Sequence, residues 1–302
     1  MAIMTREIKR RIRSVTSTRK ITKAMELVAA AKMRRAVKAV LASRAYSHAA
    51  WQIVKELSSL TDPSLHPLLQ KRDKVKKVGL IMMTSNRGLC GGFNHEIIDT
   101  VAEYIRHHSQ DNVEIEAEVL LMGKRGRDIM YKHGHEIVAE FAKVDVATRV
   151  TEVTPLAKMV IADYVSGKYD KVIVAYTDYY SAMKQKPRIK RILPIGHEDD
   201  ELGAISGVQP VANNENDNEY LFEPSTDIVL DQMLARLIEV QLYQALLESN
   251  ASEHSSRMMA MRNASDAASD MISELTLTFN QARQQMITSE LADISSGSAA
   301  VS

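Results

Sequence analysis

Two stretches of this chain contain neither glycine nor proline: the first runs from Met1 to Asp62, the second from about Thr226 to Ile294. Both carry helix-compatible residues throughout, so each is predicted as one unbroken helix. At 1.5 Å per residue, a helix of about 55 residues spans about 80 Å and one of about 69 spans about 100 Å. A globule made from 302 residues has no room to bury rods of that length. They must pair with each other and with another protein.

Charge supports pairing. The first fifty residues hold thirteen Lys and Arg against two acids, Glu7 and Glu26, a balance of +11, although the whole chain is only +1. From Glu248 to Asp293 seven acids face three arginines, a balance of −4. A basic arm beside a mildly acidic one favours antiparallel pairing and leaves positive charge for acidic partners. The Arg-rich start mimics a transit peptide, but its helix pattern continues past residue 30 and reads as mature sequence. Cys90 is the only cysteine, which excludes an intrachain disulfide and a Cys-rich zinc site. No run of 18 apolar residues exists to span a membrane.

In the first helix, Ile8, Ile12, Val15, Ile21, Met25, Val28, Met33, Val37 and Val40 recur mostly every three or four residues, the spacing of one face. Around Ala24, Ala29, Ala30, Ala31 and Ala36 that face narrows, which lets two helix axes approach closely. Strict heptads are absent from the apolar pattern, so an irregular or gently wound supercoil is expected. The second helix offers Ile228, Met233, Leu237, Leu242, Leu246, Met258, Met261, Met271, Leu275, Ala282, Met286 and Ile294.

The middle alternates strand and helix signals, the pattern of an open α/β sheet. Strands are expected at Val78–Thr84, Ile115–Met122 and Lys171–Tyr176, with an edge strand over Lys184–Ile195 where apolar and basic residues alternate. Helices are expected from about Asn94 to His108, within Gly123–His133, and from Thr154-Pro155 (N-cap and N1) to Ser166. The acidic, Asn- and Gly-rich stretch 197–218 reads as a loop. The expected domains are therefore 1–60, 74–212 and 225–302.

Several residues invite a catalytic or binding reading. Strand, then Arg87-Gly88-Leu89-Cys90-Gly91-Gly92, then helix has the outline of a phosphate loop. It is not G-x-G-x-x-G, however, and lacks the G-K-[ST] ending, so a tight turn needing glycine at positive φ is the simpler reading. Cys90 with His95 could form a nucleophile and base, but nothing else supports a dyad. His107-His108 and His133-x-His135 lack the spacing of a zinc site. The basic arm carries an apolar stripe that a nucleic-acid helix does not need.

Longer motifs point to a family. Ile21-Thr22-Lys23-Ala24-Met25-Glu26-Leu27-Val28-Ala29-Ala30-Ala31-Lys32-Met33 resembles the N-terminal motif of the γ subunit of F-type ATP synthases. Thr84 to Asn94 resembles that family's central loop, and Ser252 to Met258, Asn280 to Gln284 and Ile287 to Gly297 resemble its C-terminal helix. The likeness covers nearly the whole chain, with Asn86 where the family usually has Asp and Ser298 where it usually has Ala. It implies an antiparallel coiled coil of the N- and C-terminal helices carrying a Rossmann-like α/β domain. It also implies a non-catalytic rotor shaft, without cofactor or direct nucleotide binding, that couples ion flow to ATP synthesis on the β subunits. Expected partners are the α and β subunits, ε and the membrane c-ring, on the cytoplasmic face of a bacterial inner membrane. Lys20, Lys23, Met25 and Lys32 are expected to meet β-subunit lever segments, Arg283 and Gln284 a β-subunit catch loop, and Arg257 to serve coupling. Arg87, Gly88, Gly91 and Gly92 are expected to form a turn in the foot domain, and the excess length of the second helix to project alone into the head.

Two rivals remain at this point: a nucleotide-binding α/β enzyme with helical dimerisation arms, and a nucleic-acid-binding coiled coil.

Overall fold

The computed structural model describes residues 2–60, 66–70, 72, 74–110, 116–132, 137–195 and 226–301. The expected stop at Pro63, the His133/His135 pair and the loop 197–218 lie outside the described residues, as do the side chains of His107, His108 and Ser298. The two long helices are α1, Ala2–Leu60, and the last helix, Thr226–Val301, with 59 and 76 residues. Between them run β1 (Lys77–Met83), α2 (Phe93–Gln110), β2 (Glu116–Met122), α3 (Lys124–Lys132), β3 (Ile137–Phe141), α4 (Thr154–Val165), β4 (Lys171–Tyr179) and β5 (Gln185–Leu193), so the last helix is α5. The chain divides into two compact units. One joins Met1–Ala29 to Met258–Ser302, and the other is Ala30–Arg257.

The first unit consists of the start of α1 and the end of α5, which therefore run antiparallel. On α1 the least exposed positions include Ile8, Ile12, Val15, Arg19, Thr22, Glu26 and Ala29, separated alternately by four and three residues. On α5 they include Met258, Met261, Ser265, Ala268, Ile272, Leu275, Phe279, Ala282, Met286 and Ser289, in the same alternation. This is heptad burial, which corrects the expectation that heptads are absent. Hydrophobicity hid them because Arg19, Thr22, Glu26, Ser265 and Ser289 occupy seam positions. Thr22 returns its hydroxyl to the Arg19 carbonyl, 3.1 Å away, and Glu26 takes a 2.8 Å ion pair from Lys23. Ile21 and Val28, expected on the buried face, are each 57% exposed, and Met271, Ile228 and Ile294 are exposed as well. Of the alanine stripe, Ala29 and Ala36 are buried, whereas Ala24 faces solvent.

The second unit is built on a five-stranded sheet of order β3-β2-β1-β4-β5. The first four strands are parallel, and β5 returns antiparallel to β4 as one edge. β1 is buried from Val78 to Met83 because both faces of the sheet are covered, which is why it reads as a continuous apolar run. Val78, Leu80 and Met82 pack with Ile97, Ile98 and Val101 of α2 and Met130 of α3. The opposite face, with Ile81, Met83, Val172, Val174 and Tyr176, packs with Leu156 and Val160 of α4, Leu242 and Leu246 of α5, and Ala36 and Val40 of α1. Ser43 of α1 bonds Gln244 of α5 at 2.5 Å.

Two local expectations change. β3 had no strand signal of its own; it is a short, half-buried edge. Thr154 does not cap α4: the N-cap is Val153 without a side-chain cap bond, and the Thr154 hydroxyl bonds the Val150 carbonyl of a preceding 3-10 turn. Pro155 stands in the first turn, where its missing N–H costs nothing.

Candidate functional site

In an open parallel sheet, a ligand crevice forms at the carboxyl ends of the strands where the order reverses, here between β1 and β4. In this chain α5 lies at that position. Every residue from Ser249 to Arg257 except Ala251 sends a side chain to a strand end or a loop on that edge of the sheet. Ser252 donates to the Thr177 carbonyl at the end of β4 (3.0 Å), and Ser255 to Ala182 in the β4–β5 hairpin (2.8 Å). Asn250 donates to Val144 (3.0 Å) and His254 to Asp145 (2.6 Å), both in the loop after β3, where Lys143 also reaches Ser249 (3.3 Å). Ser256 donates to the Cys90 carbonyl (2.6 Å), and Arg257 Nη2 to the carbonyls of Arg87 (3.1 Å) and Gly88 (3.4 Å) in the Gly-rich turn. Segments at the ends of three strands thus form a collar around one stretch of helix.

The polarity of the Gly-rich turn fits this use. A phosphate loop must aim N–H donors at its ligand. Here Arg87, Gly88 and Cys90 aim carbonyl acceptors at α5, two of them at an arginine. The turn is braced from within. Ser85 N donates to Asn94 Oδ1 (2.9 Å), Asn94 Nδ2 to Ser85 Oγ (2.8 Å) and to the buried Cys90 sulfur (3.2 Å). Gly91 takes φ +58°, as a left-handed turn position requires, and the exposed Leu89 takes φ +62°. Gly88 is packed beside the Arg125 guanidinium and Gly92 beside Glu96. His95 turns to Asp99 (3.4 Å) instead of Cys90, so the expected dyad is not assembled.

Charge is concentrated at one point of the collar. Glu253 Oε2 lies 2.8 Å from Lys143 Nζ, and Oε1 lies 2.8 Å from Arg257 Nη1. The Lys143 side chain is only 1% exposed and also lies over the Phe93 ring. Burial works to raise the Glu253 carboxyl, but the Lys143 and Arg257 cations more than offset this and hold it below the ordinary range. His254 is pushed down chiefly by burial. A carbonyl only accepts, so Nε2 carries its proton to Asp145 and Nδ1 faces Arg257, 3.4 Å away.

The other expected site residues fall into two groups. Lys32 is tied within the chain to Asp145 at 2.6 Å, a bond that holds that carboxyl below the ordinary range. Arg257 likewise spends its guanidinium inside the collar. Lys20 and Lys23 are exposed and Met25 half-buried on α1, beside the exposed Ile21, Leu27 and Val28. Arg283 and Gln284 are exposed on α5, where Gln281, Gln284, Gln285, Thr288, Ser289 and Ala292 line an open groove. From Glu290 to Ser296 every side chain is exposed. Sequence reasoning missed Lys143, Glu253 and the collar. The available signal was the run of Ser and Asn, poor helix formers, in mid-helix between Ser249 and Ser256.

The family model described as ATP synthase matches residues 4–301. An ATP synthase gamma chain of Herpetosiphon aurantiacus is 42% identical, over 98% of this chain and 98% of its own length. The chain belongs to the ATP synthase gamma chain family. A gamma chain of Roseiflexus castenholzii is 41% identical with the same coverage. The fold is shared with the rotor of the Euglena gracilis mitochondrial ATP synthase (TM-score 0.62, 17% identity, 95% of this chain and 100% of that one). It is shared also with the central stalk of the Tetrahymena thermophila mitochondrial enzyme (TM-score 0.61, 23% identity, 81% and 99%). Among the described residues no helix is long and apolar enough to cross a membrane. The departure at Asn86 has a local use: its amide donates to the Lys143 carbonyl at 2.6 Å, a bond a carboxylate cannot give.

Proposed function

We propose that this chain is the central shaft of a rotary ATP synthase, held peripherally on the cytoplasmic face of a bacterial inner membrane. The observation that carries the reading is the whole-length match to gamma chains, joined to the collar that fills the crevice a nucleotide enzyme would use. The unit Ala30–Arg257 is then the foot, and the paired ends of α1 and α5 the shaft. The foot faces the ε subunit and the membrane c-ring, and the shaft stands in the ring of α and β subunits. On α1 the contact surface for β-subunit levers is Lys20, Lys23 and Met25 with the exposed Ile21 and Val28. Lys32 joins it only if its bond to Asp145 yields. Arg283 and Gln284 face the β-subunit catch loop, and the unpaired end of α5 enters the head.

The chain's contribution is mechanical. A shaft orientation that favours a different conformation in each β subunit shifts their nucleotide affinities by its differential contacts. The deciding test is ATP hydrolysis by purified α and β subunits with and without this chain. Conversion into a stable, steadily active complex is expected, with the chain alone inert; failure to join α and β removes the reading. Met25→Lys, which sets a new cation on the β-facing surface, is expected to lower ion transport per ATP more than it lowers folding stability. Equal transport per ATP would withdraw that contact.

A further inference from the structure

We propose that Glu253, clamped between Lys143 and Arg257, is the positioning residue that fixes the rotational setting of α5 inside the foot; this rests on the rotor reading above. A rotating foot must turn its helix without letting it twist in its seat. The apolar contacts of α5 with the sheet are individually non-directional. The serine hydroxyls of the collar rotate to suit whichever carbonyl is near, and Asn250 and His254 each bond one carbonyl of the β3 loop alone. The Glu253 carboxylate differs, because both of its oxygens are engaged from different sides. Lys143 reaches Oε2 from the loop after β3. Arg257 reaches Oε1 from the next turn of α5, and its other nitrogen holds the carbonyls of Arg87 and Gly88. One chain of charge-assisted bonds therefore runs from the β3 loop through the helix to the β1 loop. The Asn86–Lys143 bond ties the two loops to each other. Successive helix residues are about 100° apart around the axis, so a twist of that size carries Glu253 away and leaves the Lys143 ammonium buried and unpaired. That is the costly way to break such a pair.

The test uses the assembled complex of α, β and this chain, with the head fixed to a surface and a bead on the foot. The readout is the width of the bead's angular fluctuation while the complex is paused. Glu253→Gln removes the charge and keeps the shape. It is expected to broaden the fluctuation while leaving unloaded ATP hydrolysis unchanged. A distribution as narrow as that of the unmodified complex overturns the proposal. The double variant Lys143→Met/Glu253→Leu replaces the pair by apolar groups of similar length and keeps the protein foldable. It is expected to unfold at the unmodified temperature yet fluctuate broadly; a narrow distribution shows that packing alone sets the joint and overturns the proposal. Should Glu253→Gln fail to assemble, the double variant decides. If the unmodified chain itself does not join α and β, the rotor reading fails, a result distinct from either of these.

Discussion

Gly123→Ala places a methyl where two strand ends meet. Gly123 follows β2 at φ +109°, and a Cβ there would stand 2.2 Å from the Thr84 carbonyl oxygen and 2.7 Å from its carbon, both backbone atoms. Neither can swing aside. Thr84 is fixed on the other side by its N–H to Met122 (2.8 Å), and its hydroxyl donates to Gly123 O and accepts from Gly126 N (3.0 Å each). The left-handed backbone costs about 1–3 kcal/mol for a residue with a side chain, and the forced separation about 1–3 more. A total of about 2–6 kcal/mol lowers the melting temperature of a unit this size by roughly 5–20 °C. Thermal unfolding followed by near-ultraviolet circular dichroism isolates the effect, because the buried Tyr164, Tyr169 and Tyr176 all belong to the sheet unit. Gly88→Ala is the control. Its Cβ meets only the Arg125 guanidinium, at 3.1 Å, a flexible end that can move, so a change within about 0.5 kcal/mol is expected. If Gly123→Ala melts within 1–2 °C of the unmodified chain, the inference from backbone geometry is wrong. The consequence reaches further than stability. Thr84 opens the turn whose carbonyls hold Arg257, so hydrogen exchange along Ser249–Arg257 should quicken in the same variant.

Two further outcomes follow from the seam and the collar. Ile8→Asp buries a charge in the seam and should destabilise the helix pair by about 2–4 kcal/mol. Ile21→Asp, on the exposed face, should change the isolated chain by less than about 0.5 kcal/mol. Limited proteolysis of the α1 start separates the two, and equal protection in both variants would refute the heptad phase. Acidification should loosen the collar. Glu253 and His254 both titrate lower in the folded chain than their ordinary values of 4.5 and 6.5. Each therefore adds stability above its ordinary value that is lost as pH falls through its folded one. His254 acts first, below about pH 6.5, with a slope of at most about 1.4 kcal/mol per pH unit for its single proton. Unfolding midpoints measured from pH 7 to pH 5 should fall, and His254→Gln should flatten that fall; an unchanged slope would exclude His254 as its source.

The alternation of elements was readable because each rests on a local cause. Val78–Met83 is apolar without a break since both faces of β1 are covered, and the long helices show themselves by lacking any residue that stops one. The seam was misread for an equally local reason. Period-counting by hydrophobicity chose Ile21 and Val28, whereas the contact line passes through Thr22, Glu26 and Ala29, one residue away. A threonine that satisfies its own hydroxyl on the preceding turn, and a glutamate paired to Lys23, behave in a seam as small or amphipathic fillers. The apolar residues then remain outside, which is the expected disposition if a partner is to cover them. The collar was illegible because serines, an asparagine and a glutamate on a helix look like a solvated face. Only the other half of each bond, carbonyls from loops some 70 to 170 residues distant in sequence, turns that face into an interior.

On the rotor reading, one helix must satisfy two opposite mechanical demands, and α5 separates them along its length. Where it passes the sheet it is held by directional bonds, and a buried charge makes the wrong setting expensive. Toward its end the exposed side chains include Ile287, Leu291 and Ile294, whose contacts have no preferred direction and cost little to exchange as a surface slides past. Exchanging the two chemistries would defeat both ends. Apolar residues in the collar would let the helix twist in its seat, and a network of buried, paired charges at the tip would arrest it at each partner. The mid-helix polarity that looks wasteful by helix propensity is the side of this division that a joint requires.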